Sequence, residues 1–324
     1  MNKKLKSSLK IGIPILLGVL LVWYSLSKIS INELLAYFKK ANYYWVTTGV
    51  LLGVLSHLSR AYRWKFLIEP LGHKLRLGNS IMAVFAAYLI NYTIPRAGEI
   101  SRATIVANYD DIPFEKGFGT IVSERIADLL MMLVIIAITL FIEFDFIYNH
   151  LTQNIEPQKL IIGIALLVVL GIVGLLFLKK SKHQLAVKIR SLLNGFIEGV
   201  LSIFKMEKKV PFILHTLFIW IMYVAMFYVT SLSLSELNAV PMGAILIGFI
   251  AASFSIAATN GGLGSYPEAI VLAFAIFSIP EDPSRAFGWI MWSSQTAMIV
   301  LLGGLSIILL PFYNRNRNKD QKED

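Results

Sequence analysis

Apolar positions run through this chain in long blocks, and polar positions collect between them in short stretches. Blocks at 11–27, 43–59, 118–142, 159–178, 211–231 and 285–311 each approach the ~20 residues a helix needs to cross a bilayer. The pattern therefore predicts an all-α polytopic membrane protein with about six full transmembrane helices. Between the first two blocks, Ser30-Ile-Asn-Glu33 has the form of a capping box. It opens a short helix with Ile31, Leu34, Leu35 and Phe38 on one side, suited to the membrane interface. Leu185, Ile189, Leu192, Phe196, Ile197 and Val200 recur at helical spacing among lysines, predicting a cytoplasmic amphipathic segment over 183–205.

Two further apolar stretches do not fit as simple spans. The stretch 78–107 is interrupted by Pro95 and Gly98, and 241–278 by Asn260-Gly-Gly-Leu-Gly264 and Pro267. Orientation follows from the basic residues: Arg60, Arg63, Lys65, Lys74 and Arg76 mark one cytoplasmic end, and Arg315, Arg317, Lys319 and Lys322 another, in a charged tail at 313–324. With the acidic stretch after 142 outside, each interrupted segment must enter and leave on the same face. Re-entrant helical hairpins, one from each side, satisfy that parity, and both termini are then cytoplasmic. Asn91, Pro95, Gly98 and Glu99 in the first half correspond to Asn260, Gly264, Pro267 and Glu268 in the second. Interrupted segments in matching places of two halves point to an inverted repeat with a site near the midplane.

Composition narrows the chemistry. The 324 residues are 56% hydrophobic and 15% charged, with a mean hydropathy of +0.67, too apolar for a soluble domain of this length. Cysteine is absent and the five histidines have no ligand spacing, so neither a metal nor a cofactor is expected. The net charge of +10 lies in short loops between apolar runs, which fits anionic lipid rather than nucleic acid. Lys3, Lys4, Lys6 and Lys10 precede the first block as in a signal peptide, but no cleavage-site pattern follows; the block reads as an uncleaved helix.

Candidate chemistry concentrates at Arg96, Glu99, Arg102, Glu124, Arg125 and Asp128. A charge at the centre of a membrane helix costs about 2.5–3.5 kcal/mol, so such a cluster is either paired or functional. Two half-helix N-termini meeting at one level would form an anion site, to which Arg96 and Arg102 add donors suited to phosphate. Snorkelling to the surface is the alternative for both arginines. Glu124 and Asp128 share a helical face, and Arg96 or Arg102 across the hairpin is their natural partner in a structural ion network. Arg60 and Arg63, at the end of a span, read as headgroup-attracting. Ser265-Tyr-Pro267-Glu268 repeats the capping-box form, so Glu268 either caps a half-helix or binds a cation or proton. Gly261, Gly262 and Gly264 supply permissive backbone and close approach more readily than a phosphate loop. Asp110-Asp111 reads as a surface turn, with a metal-binding acidic pair as the alternative.

The pieces Arg60-Ala-Tyr-Arg63-Trp64, Asn91-x3-Pro95-Arg96-Ala-Gly98-Glu99-x2-Arg102, Glu124-Arg125-x2-Asp128 and Gly261-Gly262-Leu-Gly264-x3-Glu268 resemble the transmembrane, flippase-like domain of lysylphosphatidylglycerol synthases. The resemblance spans nearly the whole chain. It implies an integral membrane protein that moves a phospholipid or other phosphate-bearing lipid between leaflets and is often homodimeric; a non-transporting partner of a separate lipid-modifying enzyme is the alternative. No residue is assigned a catalytic role, and Arg96, Glu99, Arg102, Glu124, Arg125, Asp128, Asn260, Gly261, Gly262, Gly264 and Glu268 are the candidate substrate-binding residues. Some relatives belong to polyprenyl-phosphate sugar pathways, which leaves glycosyl or group transfer open. The chain reads as lacking the large soluble aminoacyltransferase domain, and it carries Asn260 where the family often has proline.

Overall fold

The computed structural model describes residues 16, 18–94, 97–154, 157–181, 183–259 and 261–315. Pro95, Arg96, Asn260 and most of the charged tail lie outside these. The regular structure described is helical: α1 (Gly18–Lys28), α2 (Ile31–Lys40), α3 (Tyr43–Ile68), α4 (Leu77–Thr93), α5 (Ala97–Asp110), α6 (Phe114–Ile142), α7 (Phe144–Asn154), α8 (Pro157–Lys180), α9 (Gln184–Lys205), α10 (Lys209–Ser231), α11 (Met242–Ala258), α12 (Ser265–Ala275) and α13 (Glu281–Tyr313). Three of these, α6, α10 and α13, are individually long and apolar enough to cross a membrane. α1 bends by 83° into α2. α3 has the length to cross, at 26 residues, but continues nine residues past the expected end at 59 and carries Arg60, Arg63 and Lys65 within it.

The surface is inverted relative to a water-soluble protein. Leu301, Ile308, Leu214 and Ile221 are exposed on α13 and α10, whereas Arg60, Arg63, Arg102, Glu124 and Arg285 are buried. Apolar faces of this extent belong in lipid, with the charges enclosed by protein.

The chain forms two compact units, one of Met1–Glu124 and Val210–Asp324, the other of Arg125–Lys209. In the larger unit α4 packs on α5, α11 on α12, and α13 against both pairs. The contacts along α13 fix the arrangement. Gly78 at the start of α4 abuts Tyr313, Gly303 abuts Phe85 and Leu89, and the Thr296 hydroxyl donates to Tyr92 Oη at 3.3 Å. α4 thus runs antiparallel to α13, from its C-terminal end towards its middle. From the other end, Phe287 stacks on Phe274, Gly288 abuts Pro267, and Trp292 Nε1 donates to the Gly261 carbonyl at 2.8 Å. The two helix pairs therefore approach from opposite ends of a helix about 50 Å long, and their breaks reach it four residues apart, near its middle.

The first pair is fastened at its base. Arg76 donates to Asp110 Oδ1 at 2.7 Å and also to Asn314 Oδ1, while Asn79 and Asn314 exchange hydrogen bonds, tying the outer ends of α4, α5 and α13. Asp110, expected in a surface turn, is instead buried by this lock; the turn itself is made by Asp111, at φ 51°. Ser30 caps α2 as expected, accepting from the Glu33 N–H at 3.1 Å.

The smaller unit contains the end of α6, α7, α8 and α9. α7 is a helix within the acidic stretch after 142, and α9 is a helix capped by His183, whose ring nitrogen accepts from the Leu185 N–H.

Candidate functional site

Arg60, Arg63 and Trp64 lie three and four residues apart on α3, so they share one face. That face meets α5 and α6. Arg63 Nη2 stands 3.4 Å from Glu124 Oε1, and Arg102 Nη1 stands 2.6 Å from Glu124 Oε2. Arg63 also donates to Thr216 Oγ1 at 2.8 Å, and Arg60 to Tyr223 Oη at 3.5 Å. The Arg102 guanidinium lies over the Trp64 ring at 3.7 Å, and the Trp64 indole donates to Thr120 Oγ1 at 2.8 Å. A desolvated cation–π contact of this kind contributes about 2 kcal/mol. Arg63 and Glu124 are 0% and 1% exposed.

This geometry revises the expectation for Arg60 and Arg63. Neither ends a span: α3 runs on to Ile68 and both side chains are buried, Arg63 against Glu124 and Arg60 against Tyr223. Arg102 and Glu124 form the ion pair expected across the hairpin. In the smaller unit Arg125 and Asp128 pair at 3.6 Å along α6, with the arginine side chain 45% exposed.

The first break is closed by Asn91. Its Oδ1 accepts from the Gly98 N–H at 2.8 Å, and its Nδ2 donates to Glu99 Oε2 at 3.4 Å. A Cβ on Gly98 would fall 2.1 Å from the Ala87 carbonyl oxygen, so α4 and α5 approach too closely for a side chain there. The second break turns on Gly261, Gly262 and Gly264, all at positive φ. At Gly264 a Cβ would also lie 2.4 Å from the Val22 backbone nitrogen. Glycine here allows α1 to pass directly over the break. The Gly261 backbone meets the Tyr92 ring of the first hairpin, so the two breaks touch.

Glu268 does not complete a capping box with Ser265. The N-cap is Gly264 in the left-handed region, and the Ser265 hydroxyl is bonded to Thr259 Oγ1 at 2.8 Å. Glu268 instead accepts from Ser25 at 2.6 Å and from Arg285 Nε at 2.8 Å. Arg285 is 2% exposed, and Glu281 and Asp282 also lie within 3.6 Å of it. Trp289 Nε1 donates to Ser25 at 3.1 Å. The cation bound by Glu268 is thus the chain's own arginine. Sequence reasoning missed Arg285 because it marks the start of a span; the Glu281-Asp282-Pro-Ser-Arg285 spacing, which sets i,i+3 and i,i+4 pairs, was the available signal.

Among the described residues no group of three or more His, Cys, Asp or Glu could hold a metal, and the Asp110 carboxylate is taken up by Arg76 and Asn79.

The sequence matches the family described as lysylphosphatidylglycerol synthase TM region over residues 11–315. The chain belongs to that family. Among curated relatives, it is 26% identical over 127 residues to a UPF0104 membrane protein of Methanocaldococcus jannaschii, covering 38% of each chain. It is 28% identical over 123 residues to the glycosyltransferase AglD of Haloferax volcanii, covering 36% of this chain and 20% of that one. The matched stretches thus span well under half of either relative. No solved structure matches.

Proposed function

We propose that this lysylphosphatidylglycerol synthase TM-region protein translocates a phosphate-bearing lipid, in the first instance a phospholipid, between the leaflets of the cell membrane, with both termini cytoplasmic. In this reading α13 crosses the bilayer, α4–α5 and α11–α12 are re-entrant hairpins from opposite faces, and their breaks meet at mid-depth. The observation that carries it is the contact of the two breaks with Thr296 and Trp292 of one long apolar helix. Irregular backbone survives at membrane depth only where protein or a cavity encloses it, and paired broken helices commonly frame a transported headgroup.

The headgroup phosphate is drawn by Arg96 and Arg102 and by the N-terminal N–H groups of α5 and α12, while the acyl chains stay in lipid. Glu99 meets an ammonium group or a proton, and Gly261, Gly262 and Gly264 give the second break its close approach. Rocking of the two halves alternates access. A separate enzyme makes the lipid, and the protein works as a homodimer.

A second reading, transfer of a sugar or other group from a polyprenyl-phosphate donor, is favoured by the glycosyltransferase relative. The two readings separate in one experiment. Purified protein in liposomes is given headgroup-labelled phospholipid, and leaflet exchange is followed with a membrane-impermeant quencher while lipid mass is read by mass spectrometry. Exchange at constant mass supports translocation. No exchange for any headgroup overturns it, and a new lipid mass favours transfer.

A further inference from the structure

Near its middle, α13 reads Trp292-Ser-Ser-Gln-Thr296, a polar run inside an otherwise apolar stretch of helix. It lies where the two breaks arrive. Most of the run is accounted for: Trp292 holds the Gly261 carbonyl, Thr296 holds Tyr92, and Ser293 and Ser294 donate back to the carbonyls of Ile290 and Met291. Gln295 is different. Its carboxamide oxygen is seated against α3 at Gly53, where a Cβ would fall 2.6 Å from Oε1, and its Nε2 is buried with no hydrogen-bond partner among the described residues.

One turn further along the same face of α3 lies His57. It is 6% exposed, packed 4.6 Å from the Tyr88 ring and edge-on to Phe85 at 5.6 Å. Its Nδ1 is likewise buried without a partner among the described residues. A buried polar group left without a partner is costly enough that native structures rarely keep one without a reason. Two of them on facing helices, beside a glycine that makes room for one, are poor packing and a good half of a binding site.

We propose that Gln295 and His57 form a neutral headgroup subsite at the level of the breaks, which recognises a hydroxyl group of the lipid beyond its phosphate. A hydroxyl oxygen accepts from the Gln295 amide, and the same group hydrogen-bonds to the imidazole. Neither side chain offers a fixed charge, so the subsite adds selectivity among phosphate lipids and leaves phosphate itself to the guanidiniums. Glycerol headgroups and sugar headgroups both present such hydroxyls. The inference rests on the lipid-translocation reading and deepens it.

The test is lipid-dependent thermal stabilisation of the full-length protein in detergent, titrated separately with phosphatidylglycerol, a polyprenyl-phosphate hexose and phosphatidic acid, which has phosphate and no headgroup hydroxyl. Wild type is expected to bind one hydroxyl-bearing lipid about three- to tenfold more tightly than phosphatidic acid, the worth of one or two hydrogen bonds; which of the two it prefers identifies the source of the hydroxyl. Gln295→Leu should abolish that preference and keep phosphatidic acid binding. His57→Phe, which keeps the ring packing, should reduce the preference in the same way and guards against misfolding of the first variant. Equal binding of all three lipids by wild type, or a preference that survives both substitutions, overturns the subsite while leaving lipid translocation standing. Binding of none of the three overturns both.

Discussion

Around Glu124 two guanidiniums, from Arg63 and Arg102, gather on one carboxylate; around Arg285 three carboxylates, from Glu268, Glu281 and Asp282, gather on one guanidinium. The two networks are opposite in sign and lie on opposite sides of the level where the breaks meet. They also differ in solvent contact. Arg63 and Glu124 are shut away, at 0% and 1% exposed, whereas the acids around Arg285 grade from 14% at Glu268 to 66% at Glu281. Burial decides what each contact is worth. The closed network has little water to replace a lost partner, so its members are held to one arrangement, while the graded network can exchange one acid for another or for solvent.

The largest effect should come from breaking the closed network. Glu124→Gln leaves Arg63 and Arg102 facing an uncharged amide and should cost about 3–5 kcal/mol, read as a fall in the melting temperature of the detergent-solubilised protein. Next, Gly264→Ala puts a Cβ into the α1 backbone at a residue with φ 72° and separates Ser25 from Glu268. A loss of about 2–3 kcal/mol is expected from strain and overpacking together. Glu268→Gln comes third, at about 1.5–3 kcal/mol, because Glu281 and Asp282 still hold Arg285. A loss as large as that of Glu124→Gln would erase the distinction between closed and graded networks.

The smallest effect is at the surface pair of Lys40 and Glu236, 3.4 Å apart. The Glu236 carboxyl is held below its usual range, first by its own backbone N–H, then by Ser235 and Lys40. Because the folded value is depressed, the stabilisation is present at neutral pH. It begins to fade below the ordinary glutamate value of about 4.3 and is gone once pH has dropped through the folded value. Glu236→Gln should flatten that part of the acid-stability curve, and Lys40→Ala should change stability at pH 7 by no more than about 1 kcal/mol.

The two helix–break–helix segments were legible in the sequence because proline and glycine punctuate apolar runs unmistakably, and both breaks fall where Pro95–Gly98 and Gly261–Gly264 place them. The Arg102–Glu124 pair was legible from sign complementarity across a hairpin. The inward turn of Arg60 and Arg63 was not: how far α3 continues depends on what awaits it at α5 and α6, and periodicity carries no such information. Ser265 misled for a related reason. Its S-x-x-E spacing is right for a capping box, but Gly264 takes the cap in a left-handed conformation and Arg285, distant in the fold from any local signal, claims the glutamate. Arg285 marked only the start of a span, and nothing in the sequence singled out Gln295, until α12 and α3 were set beside them.

Because the chain contains no cysteine, its membrane topology can be read directly with single Cys substitutions. Lys74→Cys and Glu115→Cys flank the first hairpin; Asn238→Cys and Glu281→Cys flank the second. With a membrane-impermeant maleimide applied to sealed vesicles of known orientation, the opposed-hairpin account predicts that the first two label only from the cytoplasmic side and the last two only from the other. Labelling of Lys74→Cys and Glu115→Cys from opposite sides would mean that the first hairpin crosses the bilayer, and would contradict it.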